Sequence, residues 1–187
     1  GRAGTGFGQS LDALVLARAR RGDMDAFAAI YARYGSACHT LAMRVLGDPA
    51  AAEDVVQEVF LKLFSTVRGF RCDAPFGAWL KRLAANATID VVRGRQRFRD
   101  EDAEALFDAM PAANATAEQH ADVWTLLMRL PPRVRAVVLL HEVEGFTHAE
   151  LAERFGQSES WSKSILARAL KRLGEGDVAQ DGATDDE

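Results

Sequence analysis

Apolar residues return every three or four positions through most of this chain, and glycine, proline and capping residues mark the breaks between runs. That period belongs to amphipathic helices with one buried side. Residues 11–20 predict a short first helix with Leu11, Leu14, Val15 and Ala19 inward, stopped by Gly22. Asp23 can cap a second helix whose inward face is Phe27, Ile30, Tyr31, Tyr34, Cys38, Leu41, Ala42, Val45 and Leu46. Gly47, Asp48 and Pro49 then read as the stop of one helix and the cap and first residue of the next. In that third helix Val55, Val56, Val59, Phe60, Leu63 and Phe64 form the expected buried stripe. Glu53, Asp54, Gln57 and Glu58 gather on or near its opposite side.

A loop over residues 65–74 follows, carrying Arg68, Gly69, Phe70, Arg71 and Cys72. Asp73 is placed to cap, and Pro75 to open, a long helix with Phe76, Trp79, Leu80, Leu83, Ala84, Ala87, Ile89, Val91 and Val92 toward a core. Beyond residue 118 the helical period resumes, with Val123, Leu126, Leu127 and Leu130 inward. Pro131 and Pro132 turn the chain into a helix through Val134, Val137 and Val138, ended by Gly145. Thr147 and Glu150 form a capping box, Gly156 stops the helix they start, and Ser158 caps the last one. Two short helices hinged at Gly156, the second one basic, make a helix-turn-helix pattern. The expected fold is all-α: two small helical domains, 11–99 and 119–173, joined by an acidic linker, 100–118. A flexible start, 1–10, and an acidic tail, 174–187, flank them.

Charge changes the picture because it is segregated. The 187 residues carry a net charge of -4, yet residues 81–99 hold six Lys/Arg against one acid, a local +5. Residues 100–122 hold seven acids, and the tail from Gly174 six more, with no Lys or Arg in either. A basic helix following aromatic residues suits a nucleic-acid backbone and unstacked bases. An Arg-rich helix end also complements the helix dipole without any function. The two cysteines, Cys38 and Cys72, make no disulfide framework and fit a reducing compartment. Cys38 lies in the apolar register of its helix, Cys72 in the loop. No run of 18 apolar residues exists, so no membrane insertion is expected and the reading is cytoplasmic. The sequence has no HExxH, CxxC, Walker or GxSxG motif. The four histidines, His39, His120, His141 and His148, are scattered along it. Hence no enzyme, metal, cofactor or small-molecule substrate is expected.

With these residues in place, DPAAAEDVVQEVFLKLF and FGAWLKRLAANATIDVVRGRQR closely resemble region 2 of bacterial sigma factors of the extracytoplasmic-function class. The segment RLPPRVRAVVLLHEVEGFTHAELAERFGQSESWSKSILARALKRL resembles their region 4. The resemblance implies a non-catalytic subunit that binds core RNA polymerase, recognises promoter DNA at two elements and helps to open the duplex. An anti-sigma factor is an implied partner, and the holoenzyme would be nucleoid-associated. By the same resemblance Glu53, Asp54, Gln57 and Glu58 dock on the polymerase. Arg68, Phe70 and Arg71 of the loop serve the minus-10 element, with Phe70 against a flipped base. Trp79, Arg82, Asn86 and Asp90 meet the melting junction, and Arg93, Arg95 and Arg97 neutralise phosphates. Ser158, Glu159, Ser160, Lys163, Ser164, Arg168, Lys171 and Arg172 serve the minus-35 element.

The last helix departs from the family pattern at Trp161, Ser162 and Ile165, where a small polar residue, a buried valine and an arginine are usual. Either the minus-35 sequence is unusual and these residues touch DNA, or Trp161 and Ile165 form an exposed partner-binding face, or the register has rotated and they are core. Two other classes compete with the sigma reading. A helix-turn-helix regulator that does not bind polymerase would have no use for the acidic helix, and a structural adaptor would leave both basic faces without a role.

Overall fold

The computed structural model describes residues 6–95, Phe107 and residues 122–178. The chain divides into two compact units, Gly1–Arg95 and Gln96–Glu187. Among the described residues there are helices and turns and no strand.

In the first unit α1 (Ala13–Arg20) leads to α2 (Met24–Leu46), α3 (Pro49–Thr66), a short 3-10 turn (Val67–Gly69) and α4 (Phe76–Arg95). The capping residues act as their positions demand. Asp23 accepts from the N–H groups of Asp25 and Ala26 at 2.9 and 3.2 Å, and Asp48 from those of Ala50 and Ala51 at 3.1 and 3.3 Å. Gly47 ends α2 in the left-handed region at φ 64°, which a glycine adopts without strain. Helices α2, α3 and α4 pack on one another, and α1 lies on α2. Ile30, Tyr34, Leu41, Val45, Val55, Val59, Leu63, Leu80, Ala84 and Ile89 fill the space between them. Cys38 is part of that core, and burial pushes its thiol up to about 12. Cys72 is exposed. At neutral pH iodoacetamide is therefore expected to modify Cys72 alone in the folded chain, and both cysteines once it is denatured, as read by peptide mass spectrometry.

Two expectations change here. Leu14 faces solvent and Ala19 is the buried residue of α1, with Val15 only half-buried, so this short helix covers α2 with less of its apolar side than its spacing suggests. Residues 6–10, expected to be a flexible start, lie across the first turn of α4. Phe7 is buried, and Tyr34 Oη donates to the carbonyl of Gln9 at 2.6 Å. A Cβ at Gly77 would stand 1.8 Å from the Phe7 carbonyl oxygen, so only glycine allows this crossing. The first turn of α4 also has Pro75 at its head, whose carbonyl accepts from the N–H groups of Ala78 and Trp79 at 3.0 and 3.2 Å.

The second unit contains α5 (Val123–Arg129), α6 (Pro132–Val138), a π-helical turn (Leu139–Val143), α7 (His148–Phe155) and α8 (Glu159–Val178). The capping box forms as read: Thr147 Oγ1 accepts from the Glu150 N–H at 3.1 Å and Glu150 returns the bond to the Thr147 N–H at 2.8 Å. Gly156, at φ 66°, makes the turn into α8, and Ser158 Oγ accepts from the Trp161 N–H at 3.1 Å. Helix α8 packs on α6 and α7. Val123, expected inward, is exposed, and Leu127 and Leu130 carry the contact. Arg135 is buried and gives Nη1 to the carbonyls of Met128 and Leu130, both at 3.1 Å, closing the open end of α5. Burial lowers its pKa. Of the linker only Phe107, which is buried, is described; α8 runs as helix into the expected tail as far as Val178, and the rest of the linker and tail lie outside the described residues.

Candidate nucleic-acid interface

The loop after α3 and the start of α4 build the first site. Phe70 packs edge-on to Phe76, with ring centroids 5.6 Å apart, and against Trp79 at 5.0 Å; Phe76 and Trp79 are 5.6 Å apart. Beside Phe70 and Trp79 opens a pocket of about 380 Å³ lined by Gly69, Phe70, Arg71, Asp73, Ala78, Trp79 and Arg82, among others. Its floor is aromatic and its rim is charged, the combination that holds a stacked base and a nearby phosphate. Phe70, read from the sequence as the residue that meets a base, is buried in the floor rather than standing free in the loop. Trp79 is half-buried beside it, so it is both core and wall. Asp73, expected as the α4 cap, lines the pocket.

Along α4, Arg82, Asp90, Arg93 and Arg95 are exposed and Asn86 is half-buried. Arg95 Nη2 pairs with Asp48 Oδ2 at 2.9 Å, an exposed bridge that joins the end of α4 to the cap of α3. Such a pair is worth little and yields readily to a phosphate. Asp48 is held below the usual carboxylate range by the Ala51 N–H, with Arg95 adding to it. Arg97 lies outside the described residues. Arg68 is exposed, but its Nε donates to the carbonyl of Arg20 at 3.1 Å, so this side chain is engaged with α1.

On α3, Glu53, Asp54, Gln57 and Glu58 are all exposed. Beside them lies a feature that sequence reading placed in the core. Phe64 is 52% exposed and Tyr31 55%, and together with Met24, Phe27, Gln57, Phe60 and Leu61 they line an almost wholly apolar groove of about 480 Å³. Two aromatic contacts form its rungs, Phe27 with Phe64 and Tyr31 with Phe60, both at 4.9 Å. The signal was present in α3. Val59, Phe60 and Leu61 are consecutive and so about 100° apart around the helix, and one core cannot receive all three.

In the second unit the exposed side of α8 carries Ser158, Glu159, Ser160, Lys163, Lys171 and Arg172, with Ser164 and Arg168 half-buried. Lys163 and Glu159 pair at 3.1 Å one turn apart. Trp161 is only 9% exposed and Ile165 0%, and Ser162, Leu166 and Ala169 are buried with them. Trp161 and Ile165 are thus core rather than an exposed partner-binding face, but the register has not simply rotated, since Ser162 and Leu166 stay buried beside them and Leu173 is only half-buried. The indole lies 5.4 Å from the Phe155 ring, and the buried guanidinium of Arg133 covers both rings, 5.1 Å from Trp161 and 5.4 Å from Phe155. Ser162, where valine is usual, bonds through Oγ to His148 Nδ1 at 2.9 Å. His148 stacks on His141 at 4.0 Å, so two histidines seven residues apart meet across the turn between their helices. Desolvation, then His141 and Lys163, lowers the His148 pKa. Among the described residues no three His, Cys, Asp or Glu side chains converge as a metal site. Nor is any described helix long and apolar enough to cross a membrane.

Comparison with known proteins agrees with this geometry. Residues 30–98 match Sigma-70 region 2 and residues 120–173 match Sigma-70, region 4. Pocket, acidic helix and groove fall largely within the first match and the helix-turn-helix within the second, so the fold is that of a sigma-70 family protein. The ECF RNA polymerase sigma factor SigM of Mycobacterium tuberculosis is 34% identical over 173 residues, covering 90% of this chain and 87% of SigM. The ECF sigma factor SigE of Mycolicibacterium smegmatis is 32% identical over 142 residues, 72% of this chain but 55% of the longer SigE. Among solved structures, CnrH in complex with the cytosolic domain of CnrY superposes with a TM-score of 0.52 at 27% identity, covering 90% of this chain and 97% of CnrH. The chain belongs to the extracytoplasmic-function class of RNA polymerase sigma factors.

Proposed function

We propose that this chain binds core RNA polymerase through α3, captures an unpaired minus-10 base in the pocket between the 65–74 loop and α4, and lays α8 on the minus-35 element. The observation that carries the reading is the pocket itself, an aromatic floor of Phe70 and Trp79 under a rim containing Arg71 and Arg82. Stacking on such a floor stabilises a base once it has left the duplex, so the pocket favours melted over paired DNA. Arg93 and Arg95 extend positive charge along the same helix for the backbone. In the second unit Ser158, Glu159, Ser160 and Ser164 stand near the start of α8, where side chains reach base edges, and Lys163, Arg168, Lys171 and Arg172 suit phosphates. The chain supplies binding energy and position, and the polymerase supplies the catalysis.

Docking rests on the exposed acids of α3 together with the neighbouring groove, an apolar surface rimmed by charge of the kind that protein partners cover. An anti-sigma factor is the proposed regulator. CnrH, solved with the cytosolic domain of CnrY, is a relative of this fold that carries a protein partner. Such a factor works in the cytoplasm, at the nucleoid when in holoenzyme. A helix-turn-helix regulator that does not bind polymerase would leave the region 2 match and the acidic helix without use. Run-off transcription with purified core enzyme on a randomised promoter library decides between them. Transcripts are expected only when the chain is present, from templates sharing two spaced elements. A library transcribed equally without the chain sinks the reading.

A further inference from the structure

The base-capture loop is held from behind by a residue ahead of the family match, which begins at residue 30. Arg20, at the end of α1, gives Nη2 to the backbone carbonyl of Phe70. The same nitrogen lies 3.4 Å from Cys72 Sγ, and the guanidinium carbon stands 6.0 Å from the centre of the Phe70 ring. The loop answers across the same gap, with Arg68 Nε donating to the carbonyl of Arg20 at 3.1 Å. We propose that Arg20 is a positioning residue for the minus-10 pocket: it sets the pose of Phe70, and so decides which base the pocket accepts. This rests on the pocket's role in promoter recognition given above.

The physical case begins with the loop's own weakness. Between the turn Val67–Gly69 and α4 the chain has no regular hydrogen-bond ladder, and Cys72 sits at φ 59°, a left-handed conformation costly for a residue with a side chain. Such a backbone persists only where its surroundings over-determine it. Arg20 supplies that constraint at the two residues flanking Arg71, which lines the pocket. Its planar guanidinium can meet a carbonyl and a ring face at once, which an ammonium cannot. Phe70 is in turn the centre of the aromatic floor, in contact with both Phe76 and Trp79. On the far side, the crossing of Phe7 over Gly77 and the Tyr34–Gln9 bond fix Phe76 and the first turn of α4. The segment before residue 30 therefore braces both walls of the pocket. Discrimination needs those walls held to within a fraction of an ångström.

The test assembles full-length wild type and Arg20→Ala with core RNA polymerase, transcribes a promoter library randomised through the minus-10 element, and sequences the transcripts. Arg20→Ala is expected to flatten the base preference at one minus-10 position by about ten-fold or more, as a displaced contact does. Its minus-35 preference and core affinity should stay at wild-type levels. Arg20→Lys, which can still reach the Phe70 carbonyl, should recover part of the preference. A uniform loss of output and a lower melting temperature with the preference intact would make Arg20 a structural brace only, and overturn the proposal. An unchanged preference in a stable protein overturns it too. Where Arg20→Ala does not fold, Arg20→Met keeps the apolar stem without a donor, and a preference as sharp as wild type in that variant has the same consequence. Absence of any transcript with wild type is a different failure, that of the pocket's role itself.

Discussion

Replacing Trp161 with alanine should lower the stability of the second unit by about 3–5 kcal/mol, the cost of emptying a large aromatic site in a packed core. The indole is buried against Phe155, and Arg133 lies over both rings. Alanine would strip one of the two faces on which that buried guanidinium rests and leave it beside a cavity. Urea denaturation followed by far-UV circular dichroism reads the effect, since removing a tryptophan compromises fluorescence. The milder Trp161→Phe is expected to cost about 1 kcal/mol or less. It keeps a ring in the site, and it deletes an indole N–H that is buried without a hydrogen-bond partner among the described residues. Wild-type stability in Trp161→Ala would mean the side chain faces outward in solution, and would reopen a protein-binding role for it.

What could be read from the sequence was what is decided locally. Asp23, Asp48, Thr147 with Glu150, Gly47 and Gly156 all act where their spacing put them, because a cap or a left-handed turn depends on residues within one helical turn. The exposed acids of α3 and the polar face of α8 follow from the same periodicity. Three things were not legible, each because it depends on residues of another helix. Periodicity cannot count how many neighbours a helix has. Val55, Val59 and Leu63 already fill the space toward the other helices, so Phe60 and Phe64 are left over to form a groove with α2. A charged side chain reads as surface until an aromatic pair or an open helix end is found to receive it, as for Arg133 and Arg135. And Ser162 looked like a lost core residue until His148 appeared opposite its hydroxyl.

Charge reversal at two positions of α3, Asp54→Lys with Glu58→Lys, should weaken core polymerase binding by about 3 kcal/mol, roughly a hundred-fold or more in Kd. Both side chains are exposed, so the circular dichroism spectrum should not change. The groove makes a separate contribution that a second variant isolates. Phe64 is already half in water, and Phe64→Ala should cost the free protein under about 1 kcal/mol. In a complex that seals the groove, the same truncation removes a ring packed at a tilt against Phe27 at 4.9 Å and opens the docked surface to water. A loss of about 2 kcal/mol in affinity is then expected, carried mainly by faster dissociation. The charge pair should act differently, slowing association in a way that fades with added salt. Stopped-flow mixing of labelled chain with core enzyme at two ionic strengths separates the two signatures. If Phe64→Ala binds as wild type while the charge reversal does not, polymerase meets the acids and leaves the groove to another partner. If neither variant changes the rates, α3 is not the docking helix.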